Sequence, residues 1–154
     1  MQFSIITFYQ FKKNYQTDNI QKKIKSFCSF HKLRGTVLIA NEGINGTLAG
    51  MDKSINLFSK ELKKIGFNKL EKKTSKYDFM PFNRLKVKIK KEIVTFDSKI
   101  LDVEKDKGKH ISPSKWNSII EDKDTLLIDV RNNFEVKMGT FKDAINPRTN
   151  KFSE

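Results

Sequence analysis

Side chains that could do covalent or metal chemistry are few in this sequence of 154 residues, which contains one cysteine and two histidines. Cys28 lies among aromatic residues on a predicted helix, a setting in which a lone cysteine is usually a small buried apolar residue. His31 and His110 have no acidic or thiol partners at the spacing of metal ligands. The sequence therefore predicts no disulfide framework and no metal site.

A row of cations offers a different chemistry, the binding of phosphate groups. Arg84, Lys86, Lys88 and Lys90 alternate with apolar residues. Because side chains alternate between the two faces of a strand, the apolar set would face a core and the cations would line up outside. Such cations either contact phosphates and release counterions, or form a solvated face that prevents edge-to-edge pairing of strands. Further candidates for the same contact are Arg34, Lys12, Lys13 and Lys32.

The charge balance favours a polyanionic partner. The chain has 31 Lys and Arg against 18 Asp and Glu, a net charge of +13. Residues 1–111 carry 24 basic and 11 acidic residues, whereas residues 112–154 carry 7 of each, so the whole surplus lies in the first part. A composition biased towards Lys, Asn and Ile would explain the lysines but not the neutral second part. A basic domain is the usual electrostatic signature of nucleic-acid binding.

Alternating strands and helices must position these cations. Residues 3–11 (FSIITFYQF) are typical of a buried strand. Two helices are predicted, one at residues 18–32 capped by Asp18 and one capped by Asp52 that stops at Gly66. Further strands are predicted at residues 36–40, 47–49 and 70–74. The order strand, helix, strand, strand, helix, strand predicts an α+β, ferredoxin-like (split βαβ) domain, with both helices on one face of an antiparallel sheet and the other face open.

A polar segment joins the second and third predicted strands. Residues 41–46 (NEGING) contain two glycines and two asparagines, which predicts a tight connection. The segment is either a structural hairpin turn or a loop whose Asn41, Glu42 and Asn45 contact RNA or dock a second domain. It is not a phosphate-binding P-loop, because the Gly-Lys-Ser/Thr ending is missing.

A change in sequence character divides the chain. We expect a ferredoxin-like basic domain at residues 1–97, a charged linker at residues 98–111 and a second domain from residue 112. In that domain Pro113 favours a helix start, and residues 125–130 (TLLIDV) are typical of a central parallel strand. Because such a strand needs neighbours on both sides, we expect an incomplete α/β domain. The sequence has no run of about 20 apolar residues and no secretory signal, which predicts a cytoplasmic protein.

Three passages, in this order, carry a resemblance to one known family. They are residues 34–50 (RGTVLIANEGINGTLAG), 84–94 (RLKVKIKKEIV) and 127–147 (LIDVRNNFEVKMGTFKDAINP). With them the chain resembles the bacterial rhodanese-domain tRNA uridine hydroxylases over nearly its whole length. The rhodanese-type Asp-Val-Arg is a weak signal alone, and the preceding Asn-Glu-Gly-Ile-Asn-Gly makes the resemblance specific.

The resemblance implies oxygen-dependent hydroxylation at C5 of the wobble uridine in tRNA anticodons, which forms 5-hydroxyuridine. It also implies a rhodanese domain, truncated here, whose active-site cysteine lies beyond Glu154. No residue of this sequence is then expected to be catalytic, and the fragment is expected to be inactive alone. Molecular oxygen would be the co-substrate and tRNA the partner. We expect no bound cofactor, since the sequence shows no flavin, haem or iron motif.

Three polar residues lie at and after the end of the predicted parallel strand: Asp129, Arg131 and Glu135. Arg131 can pair with Glu135, four residues further on. In rhodanese folds similar residues brace the cleft near the cysteine loop, and this is the role that the resemblance implies. Asp143 stands where rhodanese sequences often carry glycine, so the turn there is expected to be altered.

Two functions of different classes follow. In the first, the basic N-terminal domain holds the tRNA while a rhodanese domain performs the oxidation. In the second, the parent protein is a rhodanese-type sulfurtransferase with a persulfide-carrying cysteine, and the N-terminal domain is a docking module for a protein partner. A purely structural role, in which the basic domain only steadies the rhodanese domain, is a third reading.

Overall fold

The computed structural model describes residues 2–14, 16–93 and 108–150 and divides the chain into two units, Met1–Val94 and Thr95–Glu154. Most of the predicted linker, residues 98–107, lies outside the described residues. No helix in the described ranges is long and apolar enough to cross a membrane.

In its described residues, the first unit contains five strands and two helices. In chain order they are β1 (Phe3–Phe11), α1 (Thr17–Phe30), β2 (Arg34–Ala40), β3 (Gly43–Gly50), α2 (Asp52–Lys64), β4 (Glu71–Tyr77) and β5 (Leu85–Ile89). The first six follow the order β-α-β-β-α-β, which confirms the ferredoxin-like prediction. The fifth strand extends this unit at one edge.

The strands form one sheet in the order β4-β1-β3-β2-β5. β1 pairs antiparallel with β3 and with β4, and β2 pairs antiparallel with β3. The four strands of the ferredoxin-like order are thus antiparallel, as predicted, whereas the additional strand β5 runs parallel to β2 at one edge. The reason is the connection after β4, which takes the chain across to the opposite edge of the sheet and returns it in the direction of β2.

The core lies between the sheet and its two helices. α1 packs against β2 and β5, and α2 packs against β1 and β3. Alternate strand residues such as Ile6, Phe8 and Val37 are fully buried in this layer, and the rings of Phe8 and Phe58 have centroids 5.4 Å apart. The intervening strand residues point to the other side, as in any pleated strand. We call that other side the open face.

Two local predictions in this unit are wrong. β3 begins at Gly43, so the connection after β2 is only Asn41 and Glu42, and Asn45 is a strand residue. Gly43 has a φ of +156°, and a Cβ there would lie 2.2 Å from the carbonyl oxygen of Gln10. A glycine is therefore needed at this position so that β3 can pair closely with β1, and not to form a longer loop.

The second error concerns the helix caps. Gln16 and Met51 hold the N-cap positions, so neither Asp18 nor Asp52 is a cap. Asp52 instead accepts hydrogen bonds from Ser4 Oγ (2.6 Å) and Lys76 Nζ (2.8 Å) and links α2 to β1 and β4. The predicted stop at Gly66 is present, with a φ of +99° after α2.

The second unit is described from residue 108 to residue 150. It contains α3 (Pro113–Ile120) and α4 (Asn133–Met138), and a single parallel bridge joins Ile128 to Ile145. The predicted central strand at residues 125–130 is therefore reduced to one bridge in the described part. Asp143 has a φ of +61°, so it occupies the left-handed conformation that a glycine would adopt at lowest cost.

Candidate nucleic-acid interface

The predicted cation row lies on the edge strand β5. Leu85 and Val87 pack against the core, so Lys86 and Lys88 point to the open face. The register places Lys86 beside Thr36 and Lys88 beside Leu38. The predicted alternation is therefore present along β5, although the third apolar residue, Ile89, is 38% exposed instead of packed on the core.

The row continues beyond both ends of β5. Gly35 N donates to Arg84 O (3.0 Å), and Lys90 N donates to Ile39 O (2.8 Å), so the pairing with β2 extends by one residue each way. Arg34 begins β2 next to Arg84 and is exposed, as are Arg84, Lys88 and Lys90, whereas Lys86 is half-buried. We call Arg34, Arg84, Lys86, Lys88 and Lys90 the cation row.

Within the part of the chain that the structure describes, the cation row has no acidic side chain bound to it. No ion pair between described residues involves any of its members. The middle of the open face is neutral, with Thr36, Thr47 and Thr7 in successive register on β2, β3 and β1. Among the described strands, the one acidic residue on this face is Glu71, in β4 at the opposite edge. It accepts a hydrogen bond from Tyr9 Oη (2.5 Å), which raises the pKa of Tyr9.

Lys12 and Lys13 do not join the row. Lys12 Nζ donates to Gly66 O (2.7 Å) and lies 5.6 Å from the ring centroid of Phe67, next to the end of α2. Lys13 is exposed in the connection between β1 and α1. Lys32 lies in the turn that ends α1, where its N donates to Ser29 O (3.2 Å). Of the eight cations predicted to bind a polyanion, the structure brings five together in the cation row.

The polar residues of the β2–β3 connection bind their own chain. Glu42 Oε1 accepts from Ile93 N (2.6 Å), and Asn45 Nδ2 donates to Ile93 O (3.0 Å). Asn41 O accepts from Asn14 N (2.7 Å). Ile93 is 2% exposed, so Glu42 and Asn45 fix the segment after β5 against the sheet. Of the two alternatives for residues 41–46, these contacts support the structural hairpin turn.

In the second unit, Asp129 is the centre of a hydrogen-bond cluster. Its carboxylate accepts from Arg131 Nε (2.9 Å), Arg131 Nη2 (2.6 Å) and Thr140 Oγ1 (2.7 Å), and these bonds hold the pKa of Asp129 well below its usual range. Arg131 forms its direct ion pair with Asp129 and not with Glu135, whose charge helps to raise the pKa of Arg131 after the stronger effect of Asp129. Glu135 accepts from the backbone and side chain of Asn132 and caps α4. The bracing of a rhodanese cleft by these residues stays a prediction.

A cavity of about 500 Å³ adjoins this cluster. It is lined by Asp129, Arg131 and Thr140 together with apolar residues, among them Trp116 and Phe141, whose ring centroids lie 5.4 Å apart. The charged groups in its wall already bind one another, so the cavity offers mainly apolar surface.

Cys28 is unsuited to thiol chemistry. It is fully buried, and burial raises the pKa of its thiol to about 12. We expect the thiol of the folded chain at pH 8 to react with a disulfide reagent at least about 100-fold more slowly than that of the urea-unfolded chain, because the thiolate is the nucleophile. Both rates are measured from the absorbance of the chromophore that the disulfide reagent releases. Equal rates would contradict the buried position. Within the described ranges, no group of three His, Cys, Asp or Glu side chains could hold a metal ion.

Sequence reasoning missed a cleft in the first unit. It has a volume of about 440 Å³ and lies where β1 begins and α1 ends. Phe3, Phe30, His31, Lys32, Arg34 and Met51 contribute to its walls. The signal that could have revealed it is the sequence of residues 30–34, where an aromatic residue directly precedes three basic residues within four positions.

Comparison with known proteins gives a family and a set of longer relatives. Residues 3–93 match the model of the UPF0176 acylphosphatase-like domain. A tRNA uridine(34) hydroxylase of Rhizobium leguminosarum is 40% identical over 99% of this chain, which covers 50% of that protein. The enzyme of the same name from Nitrobacter winogradskyi is 39% identical over 97% of this chain, which covers 61% of that protein. The chain thus spans about half the length of the curated relatives it matches.

Two solved acylphosphatases are similar over 56% of this chain. The Bacillus subtilis protein is 15% identical, with a TM-score of 0.42 and 96% of its own chain covered. The Coxiella burnetii protein is 12% identical, with a TM-score of 0.41 and 93% of its own chain covered.

Proposed function

The chain belongs to the UPF0176 acylphosphatase-like domain family, and from this premise we propose that it is the tRNA-engaging part of a tRNA uridine hydroxylase. The parent protein is an oxidoreductase that forms 5-hydroxyuridine at the wobble position, with molecular oxygen as co-substrate. Support comes from the relatives named tRNA uridine(34) hydroxylase, whose identity extends over nearly all of this chain. Because tRNA is used in the cytoplasm, we assign the protein to that compartment.

The observation that carries the RNA role is the cation row. Five cations lie along β5 and the start of β2 without a carboxylate partner among the described residues. Like charges held this close repel one another, and a phosphate backbone relieves that repulsion by neutralising each of them. Binding of this kind releases counterions and is independent of base sequence. It suits a module that holds an RNA while another part of the protein acts on one base.

The oxidation step is assigned to the part of the relatives that this chain does not span. The single cysteine of the sequence is the buried Cys28, whose thiol does not reach solvent. The resemblance places the reactive cysteine of the rhodanese domain elsewhere. We therefore propose that residues 1–97 engage tRNA, that residues 98–111 link the domains, and that residues 112–154 belong to a rhodanese domain. Asp129 and Arg131 would then brace its cleft, as their mutual hydrogen bonds allow.

Anisotropy of fluorescent tRNA mixed with the whole 154-residue chain tests this proposal. The logarithm of the affinity should fall linearly with the logarithm of the salt concentration, with a slope of about −0.9 for each phosphate contact in duplex regions. An affinity that does not change with salt, or no binding at low salt, would remove the RNA role. In a strain lacking the full-length gene, mass spectrometry should show loss of 5-hydroxyuridine derivatives from tRNA. Loss of thiolated bases instead would favour the sulfurtransferase alternative.

A further inference from the structure

The cleft at the end of the sheet has the size and lining of a small-ligand site. Its volume of about 440 Å³ lies within the range of about 300–1,000 Å³ that is usual for such sites. Aromatic Phe3 and Phe30 contribute apolar surface, and His31, Lys32 and Arg34 contribute basic groups. Among the described residues that line it, none is acidic. An aromatic ligand that carries a negative charge fits this combination.

Phe30 is the most unusual residue of the cleft. Its side chain is 83% exposed although it follows the buried Cys28 by only two positions on α1. The His31 ring lies 4.3 Å from Phe27 and 5.0 Å from Phe30, measured between centroids, so Phe30 is supported on one side by a packed ring. An exposed phenyl ring gives up the free energy that burial would supply. It is available to stack on a planar ligand.

Lys32 is held in a backbone conformation that lysine rarely adopts. Its φ is +54°, in the turn that ends α1, where Leu33 N donates to Cys28 O (2.8 Å) and Lys32 N donates to Ser29 O (3.2 Å). Glycine is the usual residue at this position of a helix end. Backbone strain of this kind tends to occur at functional sites. The lysine is thus present at a position where glycine would be better for folding.

Arg34 connects the cleft to the cation row. It lines the cleft and also begins β2 on the open face, next to Arg84. A ligand in the cleft and a polyanion along β5 would therefore share this guanidinium group. A nucleotide within a longer RNA strand has both parts, a base for the cleft and a backbone for the row.

We propose that the cleft binds one unpaired nucleotide of a single-stranded RNA, with its base stacked on Phe30 and its phosphate bound by Lys32 and Arg34. The adjoining backbone continues along Lys86 and Lys88. Unpaired bases are recognised in this way because every base has a flat face that stacks on an aromatic side chain, while cations hold the backbone. The inference rests on the proposed function, because it assumes that the cation row binds RNA.

The test compares two probes of equal charge, a short labelled oligouridylate and the abasic ribose-phosphate strand of the same length. The whole chain should bind the oligouridylate about tenfold more tightly than the abasic strand, because stacking contributes to the first only. Phe30→Leu should abolish this preference without weakening the abasic complex, and Phe30→Tyr should retain it. The exposed Phe134 of the second unit provides the control, since Phe134→Ala should leave the preference unchanged.

A second variant separates binding from folding. Lys32→Gly should raise the thermal midpoint, because glycine adopts the positive φ without strain, and should weaken the binding of both probes. If Lys32→Gly changed the thermal midpoint and left the binding of both probes unchanged, Lys32 would have a purely structural role, and its assignment as a phosphate-binding residue would be overturned. If the unmodified chain bound both probes with equal, salt-sensitive affinity, the proposal that the cleft binds a base would be overturned, and the RNA role of the cation row would stand. A protein partner would then be the occupant of the cleft to test. No binding of either probe would instead contradict the proposed function itself.

Discussion

Replacing Gly35 by alanine is expected to destabilise the first unit by at least about 3 kcal/mol, a large part of the roughly 5–15 kcal/mol that stabilises an ordinary domain. Gly35 has a φ of +131°, which side-chain-bearing residues rarely adopt. A Cβ at this position would lie 2.2 Å from the carbonyl oxygen of Thr47. Because that oxygen belongs to the backbone of β3, in the middle of the sheet, neither strand can move aside without loss of pairing.

Urea unfolding of the whole chain, followed by far-ultraviolet circular dichroism, measures the loss. Gly108→Ala is the matched control, since a Cβ there meets nothing within 4 Å. The control should change the free energy of unfolding by less than about 0.5 kcal/mol. If Gly35→Ala were as mild as the control, the close approach of β2 and β3 at this residue would be wrong.

The helices and most strands of the first unit could be predicted because their signals are local. The buried residues of β1 alternate along the strand, and those of α2 recur three or four positions apart. β4 shows the limit of this reasoning. All seven of its residues are exposed, so no hydrophobic pattern marks it, and its strand conformation depends on pairing with β1. The strand predicted at residues 70–74 starts one residue before β4 starts and stops three residues before β4 ends.

The direction of β5 could not be read from its sequence. Alternation shows which side chains share a face, but a parallel and an antiparallel neighbour impose the same alternation. The choice depends on the route of the chain from β4 to the opposite edge. In the second unit the apolar run at residues 125–130 predicted a strand, yet Leu126 is 67% exposed and Val130 62% exposed. Only Ile128 forms a bridge within the described part.

The cation row could be predicted from the sequence because one strand carries most of it. The cleft could not, because several segments meet to form it. Four members of the cation row lie within seven consecutive positions, so alternation alone aligned them. Lys12 was grouped with them by charge, but its contact with Gly66 depends on the position of α2. The cleft is built from the start of β1, the end of α1 and the start of α2, and no local pattern reports that these ends meet.

Reversing the charge of both lysines at the centre of the cation row, with Lys86→Glu and Lys88→Glu together, should weaken tRNA binding at low salt by at least about tenfold. The salt slope should also become shallower by about 2, because two phosphate contacts no longer release counterions. Both side chains lie on the open face, away from the core residues Leu85 and Val87, so the fold should survive. Anisotropy at several salt concentrations gives the affinity and the slope together.

The matched control reverses two lysines on the other side of the first unit. Lys60 and Lys63 are exposed on α2, which covers the opposite face of the sheet, so Lys60→Glu with Lys63→Glu changes the net charge by the same amount. If only the total charge of the chain attracts RNA, the two double variants should lose affinity equally. A local phosphate-binding surface on β5 requires the slope to change in the first variant and to stay near its original value in the second. An equal loss in both would refute the cation row as the site and leave only diffuse attraction between a basic protein and a polyanion.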